Sequence, residues 1–269
     1  MLRTRGAGTW LRVSLAALCI ALVGIGSGAG RAEPVPTIAA AADLQFALTE
    51  VAEDFAADTG LEVKLAFGSS GNFARQIRQG APFEMYLSAD ESYVIHLASD
   101  GFTRGRGVLY AIGRIVIVVP HGSPLKADGS LEDLRAALED GRLQKFAIAN
   151  PEHAPYGRRA EEALRHAGLW EPIRDRLVLG ENVSQAAQFA TSGSTQGGII
   201  AYSLALSAKV SDLGTFDLIP EAWHAPLRQR MVLLGNAGTI AERFFAFVQE
   251  PRARAIMRDY GFVLPGEGS

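Results

Sequence analysis

The feature that most constrains this chain is a regular alternation of two hydrophobic periods from residue 37 onward. Short runs with a strand period or a continuous apolar character are TIAAAA (37–42), LEVKLAF (61–67), FEMYLSA (83–89), KFAIANP (145–151), RLVLG (176–180), GGIIAYS (197–203) and RMVLLG (230–235). Between them lie runs with helical period. In 44–60, Leu44, Ala47, Leu48, Val51 and Phe55 fall on one stripe and Gly60 stops the run. Further helical runs are 72–80, 90–101 (with Asp90 as a cap), 130–141, 157–168, 184–193, 239–250 and 251–261, the last opening on Pro251. Strand–helix alternation of this kind predicts α/β sheets covered by helices on both faces. One sheet of ten strands would be unusually wide, so two lobes fit the length better. The run VLYAIGRIVIVVP (108–120) is too long for one ordinary strand and is the expected crossing between lobes.

The first 32 residues follow a different logic. Arg3, Arg5 and Arg12 precede an apolar stretch at 13–26, then a small-residue segment ending at Gly30 and Ala32. This pattern predicts a secretory signal peptide over 1–32 and a periplasmic mature chain. The apolar stretch is short for a membrane span. Cys19 follows a bulky Leu18, which argues against a lipid anchor. Cys19 is the single cysteine of the chain, so the mature part has no thiol for catalysis, a disulfide or a metal. The leader holds four arginines (3, 5, 12 and 31) and no acid, which leaves 22 basic against 29 acidic side chains, a net of −7. That balance offers no basic stripe for nucleic acid.

Four predicted strand-to-helix junctions share one chemical character: AAADL (40–44), FGSSGNF (67–73), PEHAPYGRR (151–159) and GENVSQA (180–186). The first N–H groups of a helix have no intrahelical partner and lie at the positive end of its dipole. Helix starts that converge can hold an anion without any cationic side chain. Ser69, Ser70 and Tyr156 add hydroxyls, and Gly68, Gly71 and Gly157 allow close backbone approach. At any one junction, ordinary capping explains the residues; the four together point to an anion site. Enzyme signatures are missing. Gly-Ser-Ser-Gly is not the Gly-x-Ser-x-Gly elbow, no Gly-Lys-Ser/Thr occurs, and the five histidines show no metal-ligand spacing. His96 falls on a helix pattern and reads as structural. His153 shares a loop with Tyr156. Arg158 and Arg159 read as solvated.

At these residues the sequence resembles the periplasmic molybdate-binding proteins of bacterial ABC importers, the ModA family. The resemblance rests on IAAAADL, FGSSGNFARQIRQGAPFEMYLSADE, NPEHAPYG, GIIAYS and YGFVLP, in that order along nearly the whole mature chain. It implies a type II periplasmic-binding-protein fold. Residues 33–113 with 230–269 would form lobe 1 and 114–229 lobe 2, with a ligand cleft between them. It implies a non-enzymatic protein that binds molybdate or tungstate as a tetrahedral dianion through neutral donors. No cofactor or metal-ligating side chain is needed. A monomer is expected to deliver the anion to a permease in the inner membrane. The implied ligand set is the N–H groups of Ala42 and Asp43, Ser70 with Ser69 beside it, Tyr156, and the N–H of Val183. Two departures stand out. Many relatives carry Ser where this chain has Asp43, and many carry a ligand Tyr where it has Ala201, with Tyr202 one residue on. A carboxylate beside an oxyanion is repulsive, so Asp43 is expected to turn back and cap the following helix. The alternatives are a receptor for phosphate, sulfate or a small organic anion, and an enzyme on the same fold. Of the latter, the porphobilinogen-deaminase type would need a cysteine that the mature chain lacks.

Overall fold

The computed structural model describes residues 33–266, and the predicted signal peptide lies outside the described residues. From Glu33 onward the chain packs as one compact unit containing two five-stranded mixed sheets. The first has the order β2-β1-β3-β10-β4 and the second β7-β6-β8-β5-β9.

The first sheet comprises β1 (Thr37–Ala41), β2 (Lys64–Gly68), β3 (Met85–Ser88), β4 (Val108–Gly113) and β10 (Leu227–Leu233). Its helices are α1 (Ala47–Thr59), α2 (Ser70–Arg78), α3 (Glu91–Ser99), α10 (Thr239–Phe247) and α11 (Pro251–Asp259). The second sheet comprises β5 (Ile115–Pro120), β6 (Phe146–Ala149), β7 (Leu177–Gly180), β8 (Gly198–Ala201) and β9 (Gly214–Leu218). Around it lie α4 (Glu132–Glu139), α5 (Pro155–His166), α6 (Trp170–Ile173), α7 (Val183–Thr191), α8 (Tyr202–Ala205) and α9 (Ala208–Ser211).

The long run 108–120 divides at Arg114: β4 closes one edge of the first sheet and β5 sits inside the second. The chain returns through residues 219–226 into β10, which starts at Leu227 and pairs antiparallel with β3 and β4. Each sheet keeps a parallel pair whose helices follow directly. In the β1–β2 pair the last residues in register are Ala41 and Gly68; in the β6–β7 pair they are Ala149 and Gly180. Parallel strands ending side by side put two successor segments at one edge of each sheet, the usual place for a ligand in open α/β sheets.

Apolar burial follows the sequence stripes. Ala47, Leu48, Val51 and Phe55 are buried on α1, and Phe55 packs edge-on against Phe244 and Phe247 at ring-centre distances of 5.2 and 5.4 Å. β5 is buried at every position, as a strand covered on both faces should be. Asp90 caps α3 by accepting the N–H of Ser92.

Two local expectations fail for identifiable reasons, and one strand was not foreseen. The predicted helix 44–60 is a 3-10 turn at Ala42–Leu44 followed by α1 from Ala47, and neither start is capped by a side chain. Thus Asp43 does not cap the helix; its carboxyl is used elsewhere. The strand expected over 197–203 ends at Ala201, because Tyr202 begins α8 and packs edge-on against Phe216. β9 was not foreseen at all, because the alternation of Phe216 and Leu218 with Thr215 and Asp217 spans only a few residues; its place beside β5 makes it a strand.

Gly157 sits where α5 passes over the end of β6. A Cβ there would lie 2.2 Å from the carbonyl oxygen of Ala149, a backbone atom that cannot step aside. Gly157→Ala is therefore expected to cost about 1–3 kcal/mol by overpacking, read as a fall of several degrees in the thermal midpoint by circular dichroism.

Candidate functional site

The four junctions meet. Ala42, Asp43, Ser69, Ser70, Tyr156 and Val183 all line one small cavity, joined by Ala41, Gly68, Ala89, Ala154, Pro155 and Asn182. Its volume is about 10 Å³, the scale of a single water-sized guest. A sugar or a peptide does not fit a space this tight. Grooves of about 400 Å³ exist elsewhere, one bounded by Gln45, Phe46, Ser184, Lys209 and Leu213. Size does not single out the site; the convergence of helix starts does.

Each wall has a local cause. Ser69 is the N-cap of α2, and its hydroxyl oxygen accepts the N–H of Asn72 at 3.4 Å. Ser70 is the first residue of that helix and fully buried. Its oxygen accepts the N–H of Ala89 at 3.0 Å, which leaves its O–H to donate. Ala154 is the N-cap of α5, with Pro155 in the first turn, where a missing N–H costs nothing. Asn182 caps α7 by accepting the N–H of Gln185, so Val183 opens that helix. Ala42 and Asp43 form the 3-10 turn after β1.

Asp43 is the centre of the site. It is 1% exposed. Its Oδ2 accepts the Tyr156 hydroxyl at 3.0 Å and the Gln229 amide at 2.7 Å, while Oδ1 is buried without a hydrogen-bond partner. Burial raises its carboxyl to about 6, against the lowering effect of the bonds from Gln229 and Tyr156. The Tyr156 hydroxyl is pushed well above its ordinary range, first by burial and then by the neighbouring Asp43 charge. Tyr156 therefore reaches the site but spends its hydroxyl proton on Asp43.

Gln229 is the residue that sequence reasoning missed. It is fully buried on β10 and also donates to the Tyr156 oxygen at 3.1 Å. The Tyr110 hydroxyl donates to its Oε1 at 2.6 Å. The register between β10 and β4 shifts at Gln229/Arg230, skipping Tyr110; such a bulge re-aims side chains beside a site. The available signal was an amide within an otherwise arginine-flanked strand segment, LRQRM, whose partner residues lie 73 to 186 positions away. Gly113, at the lobe junction, leaves room for this group: a Cβ there would meet the Tyr156 oxygen at 2.3 Å and the Gln229 nitrogen at 2.8 Å.

Bonds between the lobes surround the cavity. Gly71 N–H donates to the His153 carbonyl at 2.9 Å, and Ser69 shares a hydrogen bond with His153 Nδ1 at 3.0 Å. The Ser184 and Ser203 hydroxyls donate to the carbonyls of Ala42 and Asp43 at 2.9 and 2.8 Å. Gly71 is small for the opposite lobe's sake, since a Cβ there would lie 2.7 Å from the His153 oxygen. Arg159 is not solvated as expected: it is 9% exposed and pairs with Asp90 and Glu162. Arg158 donates to the Tyr93 hydroxyl at 2.6 Å. Tyr202 is not among the cavity-lining residues. Among the described residues, no group of three His, Cys, Asp or Glu is placed to hold a metal ion, and no helix is long and apolar enough to cross a membrane.

Residues 36–263 match the model of the bacterial extracellular solute-binding proteins. The chain belongs to that family. It is 34% identical over 256 residues to the molybdate-binding protein ModA of Rhodobacter capsulatus, covering 94% of this chain and 96% of the relative. It is 32% identical over 255 residues to ModA of Azotobacter vinelandii, covering 93% and 98%. The solved periplasmic molybdate-binding protein of Azotobacter vinelandii superposes with a TM-score of 0.76 at 29% identity, over 86% of this chain and 99% of that one. The fold is thus the two-lobed type II periplasmic-binding-protein fold, and the family is a solute-binding component of transport, not an enzyme.

The raised Asp43 carboxyl has a consequence for stability. Because its folded value lies above the ordinary 3.8, the folded state binds the proton more tightly than the unfolded chain. Its contribution is fully present below about pH 4 and lost as pH rises through about 6. At about 1.4 kcal/mol per pH unit, the ionised group costs on the order of 3 kcal/mol. Asp43→Asn is expected to remove this loss, so that denaturant midpoints of parent and variant diverge between pH 4 and pH 6.

Proposed function

We propose that this protein captures molybdate outside the cytoplasm and delivers it to an ABC importer. The observation that carries the reading is the convergence of four neutral donor segments, two from each lobe, on one tight cavity in a chain whose relatives bear the name molybdate-binding protein. Helix starts and hydroxyls bind an oxyanion without a cationic side chain, because N–H groups aimed at the ligand replace its hydration shell.

In this reading the N–H groups of Ala42, Asp43, Ser70, Tyr156 and Val183 and the Ser70 hydroxyl surround the anion, with Ser69 fixing the turn. Lobe 1 is 33–113 with 227–269 and lobe 2 is 114–226, the return falling at the start of β10 rather than inside it as expected from 230; closure of the cleft between them buries the ion. Residues 1–32 are the signal that sends the chain to the periplasm. The protein works as a monomer without a cofactor, meets the membrane permease, and has no nucleic-acid partner. Tungstate, of nearly the same size and charge, binds alongside molybdate.

Titration calorimetry of the mature chain with molybdate, tungstate, sulfate and phosphate checks this. Tight one-to-one binding of the first two is expected, and heat from sulfate or phosphate alone would overturn the assignment. Ser70→Ala removes a buried donor to the anion and should weaken molybdate binding by about 1–3 kcal/mol, roughly tenfold to more than a hundredfold, with the fold intact by circular dichroism.

A further inference from the structure

We infer that Asp43 is a specificity-determining donor that binds the anion as the neutral acid, so that capture of each oxyanion takes up one proton from solvent. This rests on the oxyanion reading of the cavity and assigns the role of the one acid in its wall.

The geometry allows the proton one place. Tyr110 gives its hydroxyl proton to Gln229 Oε1, which commits the Gln229 amide hydrogens to the Asp43 side. That amide and the Tyr156 hydroxyl both donate to Asp43 Oδ2. Oδ2 is therefore a pure acceptor, fixed by a hydrogen-bond chain of one polarity. The remaining oxygen, Oδ1, is buried and unpartnered on a residue that lines the cavity. A carboxylate oxygen there meets an oxyanion as a like charge with no hydrogen to offer. A carboxylic acid with its proton on Oδ1 is a donor, as the Ser70 hydroxyl is on the neighbouring wall.

The surroundings supply no other remedy. The titratable groups facing Asp43 are Tyr156 on α5 and Tyr110 on β4, both held neutral by burial. Gln229 faces it from β10. From α7 and α8 the facing groups are the hydroxyls of Ser184 and Ser203, bonded to the carbonyls of Ala42 and Asp43. Among the described residues no Lys, Arg or His is bonded to the carboxyl. With its carboxyl raised to about 6, protonation near neutral pH is a small step, and a bound dianion raises it further. The proton comes from water or buffer and remains on Asp43 until the anion leaves.

The experiment is calorimetry of the mature chain with molybdate from pH 5 to pH 8, in buffers of differing ionisation enthalpy. Proton uptake should be close to one per anion at pH 7–8 and fall toward zero at pH 5. Affinity should drop about tenfold per pH unit above pH 6. Asp43→Asn, whose amide N–H replaces the acid O–H, should abolish both the uptake and the slope, and should bind more tightly than the parent at pH 8. Asp43→Ser, a smaller donor, should flatten the slope likewise. Molybdate binding by the parent without proton uptake, or uptake that persists in both variants, would overturn the inference while leaving the anion site intact. Tighter binding of hydrogen phosphate than of molybdate near pH 6 would also overturn it, since the carboxylate would then be accepting the ligand's proton. Absence of molybdate binding by the parent at every pH would remove the oxyanion reading itself.

Discussion

A single buried carboxyl ties the two lobes together beneath the cleft. Asp43 belongs to the turn after β1, Tyr156 to the start of α5 in the other lobe, and Gln229 to β10 beside the lobe junction. Three segments that are remote in sequence therefore share one hydrogen-bonded group at the base of the cavity. The helix starts that make the walls are placed relative to each other by this contact and by the Gly71–His153 and Ser203–Asp43 bonds above it. The glycines 71 and 113 take their meaning from the same closure, since a side chain at either would strike the opposing lobe or the Tyr156–Gln229 pair.

Anion binding by neutral groups depends on convergence rather than on charge. One helix start is worth little beyond capping. Three α-helix starts and one 3-10 turn meeting at a common point can together replace the hydration of a small ion. Against that background a lone carboxylate weighs heavily: two unit charges about 4 Å apart at an effective dielectric of 20 interact by about 4 kcal/mol, more than a typical hydrogen bond returns. On the proposed reading, a proton on Asp43 relieves this conflict without moving any backbone. Arg158 and Arg159 are engaged by Tyr93, Asp90 and Glu162, and the contacts to Tyr93 and Asp90 add cohesion between lobes.

Much of this was legible before any coordinates. Strand and helix periods are local, so the α1 stripe, the Asp90 cap and the split of 108–120 could be read from spacing alone. β9 was missed because the alternation in GTFDL, Phe216 and Leu218 against Thr215 and Asp217, is too short to stand out until it pairs with β5. Asp43 was misjudged because an Asp ahead of a helical run is a good local cap, and the sequence has no way to show that Tyr156 and Gln229 would compete for it. Gln229 was invisible for the same reason: its three partners, Tyr110, Asp43 and Tyr156, are far away along the chain.

By itself the sequence determined the α/β alternation, the crossing near Gly113 and the chemical character of the four junctions, because these follow from nearest-neighbour periodicity and from what each residue type can donate or accept. Only the tertiary structure decided that the junctions face one another, that the Tyr156 hydroxyl is turned to Asp43, and that the Asp43 carboxyl is sealed from water with one oxygen unpaired. Those are properties of closure between lobes. Burial and partnership across a cleft depend on contacts between residues remote along the chain, and local spacing carries no record of them.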